Sequence, residues 1–181
     1  MIQPITLDGS NVSAEMDACI HQALFGFDGV LKFGNNFGYV IESNNLIKIK
    51  DGLLLSQGRF LRVKVGTTES VRIESGHAGS NRKDLIVVHF ETNGITETYD
   101  IRVKKGVDNG SVPTPVKGDT FNGAMVNELP LYVVNLNGIN IQSVVPQFTV
   151  YDSLFKMANR IKYGHGAPSD LKPEEIYLEL E

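Results

Sequence analysis

The sequence has little sulfur chemistry and few large aromatic platforms: one cysteine, Cys19, and no tryptophan. One thiol excludes an intrachain disulfide and a thiolate-built zinc site. Its apolar-rich surroundings predict a small buried hydrophobe. No apolar run approaches the roughly 20 residues of a membrane-spanning helix. The opening MIQPITLDGS lacks the charged and apolar regions of a secretory signal. Acids and bases are interspersed over a net charge of −4. That leaves no basic stripe for nucleic acid and no polybasic cluster for anionic lipid. His21, His77, His89 and His165 fall at no ligand spacing. The stretch DNGSVPTPVKGD (108–119) lacks the regular acid spacing of a calcium loop. These absences predict no metal, no cofactor, no nucleic-acid partner and no membrane insertion.

What is present is β pattern. The 181 residues are 41% apolar and 21% charged, enough for one packed domain with a short appendage. Residues 13–24, SAEMDACIHQAL, predict a helix. Ser13 is its N-cap, Glu15 and Asp17 lie at the positive end of the dipole, and Met16, Ile20 and Leu24 share its apolar face. From Tyr39 to Phe148 short alternating runs are separated by turn residues. Leu46-Ile47-Lys48-Ile49-Lys50 reads as a strand ended by a hairpin turn at Asp51-Gly52. Gly58 marks a bulge or close approach, and Gly66 ends the strand that carries Leu61, Val63 and Val65 on one face. Residues 84–91, DLIVVHFE, form the most apolar run and predict a central strand covered on both faces. Asn93-Gly94 signals a hairpin, and Pro130 places the start of strand 129–134 at a sheet edge. Residues 149–161, TVYDSLFKMANRI, predict a second helix. A Gly/Pro hinge and a terminal strand at 176–180 follow.

The expected fold is mainly β. It is an antiparallel β-sandwich or small barrel of about eight strands, with one N-terminal and one C-terminal helix. Residues 1–148 make the β-rich core domain, and 149–181 the C-terminal helix, hinge and strand. Helices do not alternate with strands, so a nucleotide-binding parallel sheet is excluded.

Catalytic patterns are weak. Ser75-Gly76-His77 with Asp84 beyond offers a hydroxyl, an imidazole and a carboxylate, but within a hydrophilic turn. Glu42, Glu69, Glu74, Glu91 and Glu97 read as solvated strand faces rather than a carboxylate pair across a cleft. In QGRFLR (57–62) the expectation places Arg59 and Arg62 in water. Arg82 and Asp84 flank a loop-to-strand junction and are expected to pair at the surface, where such a pair contributes about 0.2–1 kcal/mol. The sequence predicts no enzyme.

Several segments carry a resemblance together: NNLIKIKDGLLLSQGRFLRV (44–63), GTTESVRIESGHAGSNRKDLIVVHFE (66–91) and MVNELPLYVVNLNGINIQSVVPQF (125–148). The most specific phrases are I-x-DGLLLSQGR at 49–59, SNRKDLIV at 80–87 and ELPLY at 128–132. Across residues 8–148 the chain resembles a family of tail and baseplate structural proteins encoded by phages and prophages of Gram-positive and gut bacteria. The resemblance implies a virion component made in the host cytoplasm, whose partners are other copies of itself and other tail or baseplate proteins. It implies a part that anchors fibres or receptor-binding proteins. The alternative is a carbohydrate- or receptor-binding module touching the host envelope, which the lack of tryptophan disfavours.

Physical reasoning places the expected subunit contacts at the C-terminus. A 13-residue helix is marginal alone, so its stripe Val150, Leu154, Phe155, Met157 and Ile161 needs a surface to cover it. An isolated strand must add to a sheet edge, which marks Ile176, Tyr177, Leu178 and Leu180.

Overall fold

The computed structural model describes residues 12–158, 161–164, 168, 172–173 and 175–179. The chain is mainly β and divides into two compact units, Met1–Val150 and Tyr151–Glu181. The elements are α1 (Ala14–Phe25), β1 (Gly29–Leu31), β2 (Tyr39–Ser43), β3 (Leu46–Ser56), β4 (Arg59–Arg72), β5 (Asn81–Thr92) and β6 (Glu97–Lys104). A 3-10 turn at Thr120–Asn122 leads to β7 (Val126–Asn137) and β8 (Asn140–Pro146). Then come β9 (Val150–Tyr151), α2 (Leu154–Ala158), β10 (Ile161–Gly164) and β11 (Ile176–Glu179).

In the first unit β3 is the axis of one sheet. β4 pairs along one of its edges, and β2 and β1 share the other, β2 at 46–49 and β1 at 53–55. The second sheet has the order β6-β5-β7-β8 and is antiparallel throughout. One apolar cluster draws Ile47, Ile49 and Leu54 from the first sheet and Ile86, Leu131 and Val134 from the second, all fully buried. The Tyr132 hydroxyl, on β7, donates to the Phe37 carbonyl at 2.6 Å and so ties the second sheet to the loop beside β3. β5 is central and buried along most of its length, as its apolar run predicts.

Several turn signals are overruled by packing. Asp51-Gly52 forms no hairpin; β3 runs through it with a register shift. The buried Asp51 carboxylate accepts from the Asn35 backbone N–H at 3.3 Å and its Nδ2 at 2.5 Å, and the Asp51 carbonyl accepts from Phe37 N–H at 3.2 Å. A Cβ at Gly52 would collide with the Phe37 backbone and ring. The dipeptide therefore serves a neighbouring loop instead of reversing the chain. The reversal comes at Gln57-Gly58, with φ of +45° and +73°. A Cβ on Gly58 would overlap the Ala18 carbonyl, which is the close approach expected there.

Gly66 does not end β4. The ladder jumps from the pair Gly52 and Val63 to the pair Lys50 and Thr68, so residues 64–67 bulge outward inside one long strand. Pro130 does not mark an edge strand either. β7 is internal, and the proline sits at a register shift against β5, beyond the end of the β8 ladder.

The helix α1 begins at its Ser13 cap, whose hydroxyl accepts from Met16 N–H at 3.2 Å, and stops at Gly26 with φ +65°. Its inner face is not the expected one. Ala18 is buried at 1% exposure while Leu24 is 61% exposed and Cys19 is exposed. The small Ala18 lets the helix sit on the Gly58 turn, where His21 Nδ1 donates to the Gly58 carbonyl at 2.9 Å. The rings of His21 and Phe25 meet Phe60 edge-on.

Of the helix expected over 149–161, the described residues form five, Leu154–Ala158. Ser153 caps it by accepting from Lys156 N–H at 3.3 Å. The sequence on either side joins strands, β9 before and β10 after. β10 and β11 pair in parallel, Ile161 against Ile176 through Gly164 against Glu179.

Candidate interaction surfaces

Most buried charges in the first unit serve as internal braces. Arg82 and Asp84 do pair, but not at the surface: their side chains are 1% and 0% exposed. They lie two residues apart, on one face of β5, and two loops cover them. Arg82 Nε and Nη2 reach the carboxylate at 2.8 and 2.9 Å. Arg82 also donates to the Glu74 and Ser75 carbonyls, and Asp84 accepts from Gly106 N–H at 2.9 Å. The pair thus pins the loops on either side of β5.

Arg59 is likewise not in water; it is 9% exposed. Its Nη2 donates to Glu97 at 2.6 Å and its Nη1 to Thr120 Oγ1 at 3.0 Å, and the guanidinium lies 4.9 Å from the Phe90 ring centroid. The hydrogen bond from Arg59 holds the Glu97 carboxyl below the usual range, against an opposing effect of burial. The Tyr99 hydroxyl donates to the same carboxylate at 2.8 Å, and burial with that bond pushes the phenol up. Arg62, by contrast, is exposed as expected.

Glu128 is 6% exposed and receives Lys104 Nζ at 2.6 Å, Val116 N–H at 2.7 Å and His89 Nδ1 at 3.2 Å. Burial pushes its carboxyl up, but these donors outweigh burial and hold it below the usual range. The segment around Val116 is anchored to β7 by this carboxylate. No spacing in the sequence signals this set, because its members come from three strands and a loop.

The residues of the Ser75, His77 and Asp84 pattern are not brought together. The Ser75 hydroxyl accepts from Asn45 Nδ2 at 2.7 Å, Asp84 is held by Arg82, and the exposed His77 pairs with Asp108 at 2.6 Å. Among the described residues no group of three His, Cys, Asp or Glu side chains is placed to hold a metal ion. No helix among them is long and apolar enough to cross a membrane.

The expected C-terminal contacts divide. Val150, which closes the first unit, is 43% exposed. In the second unit Leu154, Ile176 and Leu178 are 42%, 59% and 54% exposed, and Tyr177 is half-buried. Phe155 and Met157 fall within α2, whereas Ile161 opens β10 and is not helical. The single helical stripe through Val150 and Ile161 therefore does not form. Leu180 lies outside the described residues.

The first unit adds two open rims that the sequence reading missed. On one, all five residues of β2 are exposed, including Tyr39, Val40 and Ile41. β8 of the other sheet lies alongside: Tyr39 donates to the Val144 carbonyl at 3.2 Å, and Asn44 Nδ2 to Asn140 Oδ1 at 2.7 Å. Val145 on β8 is 43% exposed. At the other rim β4 and β6 each keep one edge that no strand among the described residues pairs with, and they flank a groove of about 360 Å³. Leu61, Val63 and Ile101 line its walls, over Phe37, Leu54 and Val88. The bulge at 64–67 stands beside it, closed by a hydrogen bond from Thr67 Oγ1 to the Lys64 carbonyl at 2.7 Å.

No protein-family model matches the chain, and a search of curated proteins found no match.

Proposed function

We propose that the protein is a non-enzymatic structural component of a phage tail or baseplate, or of a phage-derived injection device. It assembles with copies of itself and with other tail proteins, and anchors fibres or receptor-binding proteins. The resemblance through DGLLLSQGR and SNRKDLIV supports the particle role. The observation that carries the reading is the bare apolar rim at β2, where Tyr39, Val40 and Ile41 meet water on an edge strand. Edge strands of monomeric proteins are normally blunted by charge, proline or a covering element, because an apolar edge recruits other chains. Here the two sheets stack as an antiparallel sandwich, and its rim is left for a neighbour.

The buried ionisable groups fit a scaffold. Arg59, Arg82, Asp84 and Glu128 are spent on loops and strand ends, and none opens with a free base or acid into a cleft. The exposed Val150, Leu154, Ile176 and Leu178 are further contacts in the assembled particle. Sedimentation velocity over a wide concentration range tests the reading. A mass that rises to a defined multiple of the 19.9 kDa chain supports it. A species that stays at one chain throughout overturns it.

A further inference from the structure

In the first sheet Ile47, Ile49, Leu54 and Val71 face the core, so the residues that alternate with them face outward. Four cations fall on that outer face, one on each of four rungs of the β3–β4 ladder. The rungs pair Leu46 with Arg72, Lys48 with Ser70, Lys50 with Thr68 and, past the register shift, Leu53 with Arg62. The first three rungs lie about 6.8 Å apart along the strands. A search of the sequence for basic runs misses this stripe, because its members alternate between two strands. Arg62, Thr68, Ser70 and Arg72 are exposed, and Lys48 and Lys50 are half-buried. The helix α1 meets this face beyond Arg62, at Phe60. Glu42 on β2 pairs with Lys48 at 2.5 Å. Among the described residues Lys50, Arg62 and Arg72 make no ion pair. Glu69 pairs with the core residue Ile49 and lines the groove instead.

We propose that the stripe binds a phosphodiester strand through its backbone, one phosphate to each rung. The two-residue repeat is of the order that an extended phosphodiester strand sets between successive phosphates. Ser70 and Thr68 place a hydroxyl beside Lys48 and Lys50, and lysine, arginine and hydroxyl side chains are the donors that phosphates recruit. A protein partner fits less well. Protein interfaces have an apolar centre and are depleted in lysine, whereas Leu46 and Leu53 are half-buried among the cations. No aromatic ring stands on the four rungs, so bases find no stacking platform and the contact is to the backbone alone. This contact goes beyond the assembly reading above and does not rest on it.

Fluorescence anisotropy of the full chain with a labelled 20-nucleotide oligothymidylate tests this. Four phosphate contacts on a single strand predict a slope of about −2.8 in log affinity against log salt, and so a roughly 50-fold loss between 50 and 200 mM. Arg62→Ser with Arg72→Ser should halve the slope and weaken binding at least tenfold at 50 mM salt. Lys83→Ser with Lys117→Ser removes two exposed cations away from the stripe and should change binding less than twofold. A base-free sugar-phosphate strand of the same length should bind within threefold of the oligothymidylate. An equal loss in the two double variants overturns the inference, because the attraction is then diffuse. A tenfold preference for the base-bearing strand overturns it as well. Polyglutamate that displaces the strand at equal charge concentration assigns the face to an acidic protein and overturns it. So does an absence of binding at 50 mM salt.

Discussion

The buried charges and the exposed apolar side chains of the first unit are treated in opposite ways. Arg59, Arg82, Asp84 and Glu128 each have two or more partners within the fold. Val40, Ile41, Val65 and Val145, which water solvates poorly, are left uncovered at sheet edges and a bulge. Stability drawn from the interior needs the first arrangement, since an unpaired buried charge is costly. Nothing in the folding of one copy needs the second. The contrast separates residues that hold the domain from residues that, on the proposed reading, a neighbour covers, and substitutions on the two sides should separate in the same way.

The largest effect should come from the interior. Arg82→Met leaves Asp84 buried without its main partner and should cost about 3–5 kcal/mol in urea unfolding, as breakage of a buried pair does. A loss below about 1 kcal/mol would mean that Asp84 finds other donors. Gly58→Ala comes next. It forces φ of +73° on a residue with a Cβ and pushes that atom into the Ala18 carbonyl, so it should lower stability by more than about 1 kcal/mol and loosen α1. Thermal unfolding followed by circular dichroism would read both changes.

The Arg59–Glu97 brace gives a pH signature. The folded-state carboxyl lies below its unfolded value, so its contribution is present above about pH 4.3 and is lost as pH falls through the lower folded value. Glu97→Gln should therefore flatten the melting-temperature profile on the acid side of that point while lowering the plateau at neutral pH. An unchanged acid limb would assign that loss to other carboxylates. The smallest effect on stability belongs to the rim. Val40→Lys with Ile41→Lys should change unfolding free energy by less than about 0.5 kcal/mol per site, as surface substitutions do. The same pair should reduce the mass found at high concentration. If it unfolds the domain instead, β2 belongs with the interior and the comparison fails.

Much of the sheet pattern was legible in the sequence, because period-two alternation reports directly on burial. Ile47 and Ile49 lie inside as the alternation of 46–50 implies, and 84–90 is buried throughout as its unbroken apolar run implies. Turn chemistry was less legible. Asp-Gly favours a hairpin in isolation, but at 51–52 the carboxylate and the missing Cβ answer to Asn35 and Phe37, some 15 residues upstream, and no local rule contains that contact. Gly58 was readable as a close approach, whereas its partner Ala18 was not, since helix periodicity favoured the larger Met16, Ile20 and Leu24. Arg59 and Arg82 looked like surface residues because burial of a guanidinium depends on distant carbonyls and carboxylates. The strand at 176–179 forms and pairs with β10, with Ile176 and Leu178 exposed, while the short α2 removes the stripe expected between Val150 and Ile161.

Amide hydrogen exchange at low and high protein concentration tests most directly whether the rims exist to be covered. Protection should rise with concentration at the unpaired edge amides of β2, β4 and β6, while the amides of β5, already paired on both sides, exchange at the same slow rate throughout. Edge amides that exchange equally fast at every concentration would contradict it.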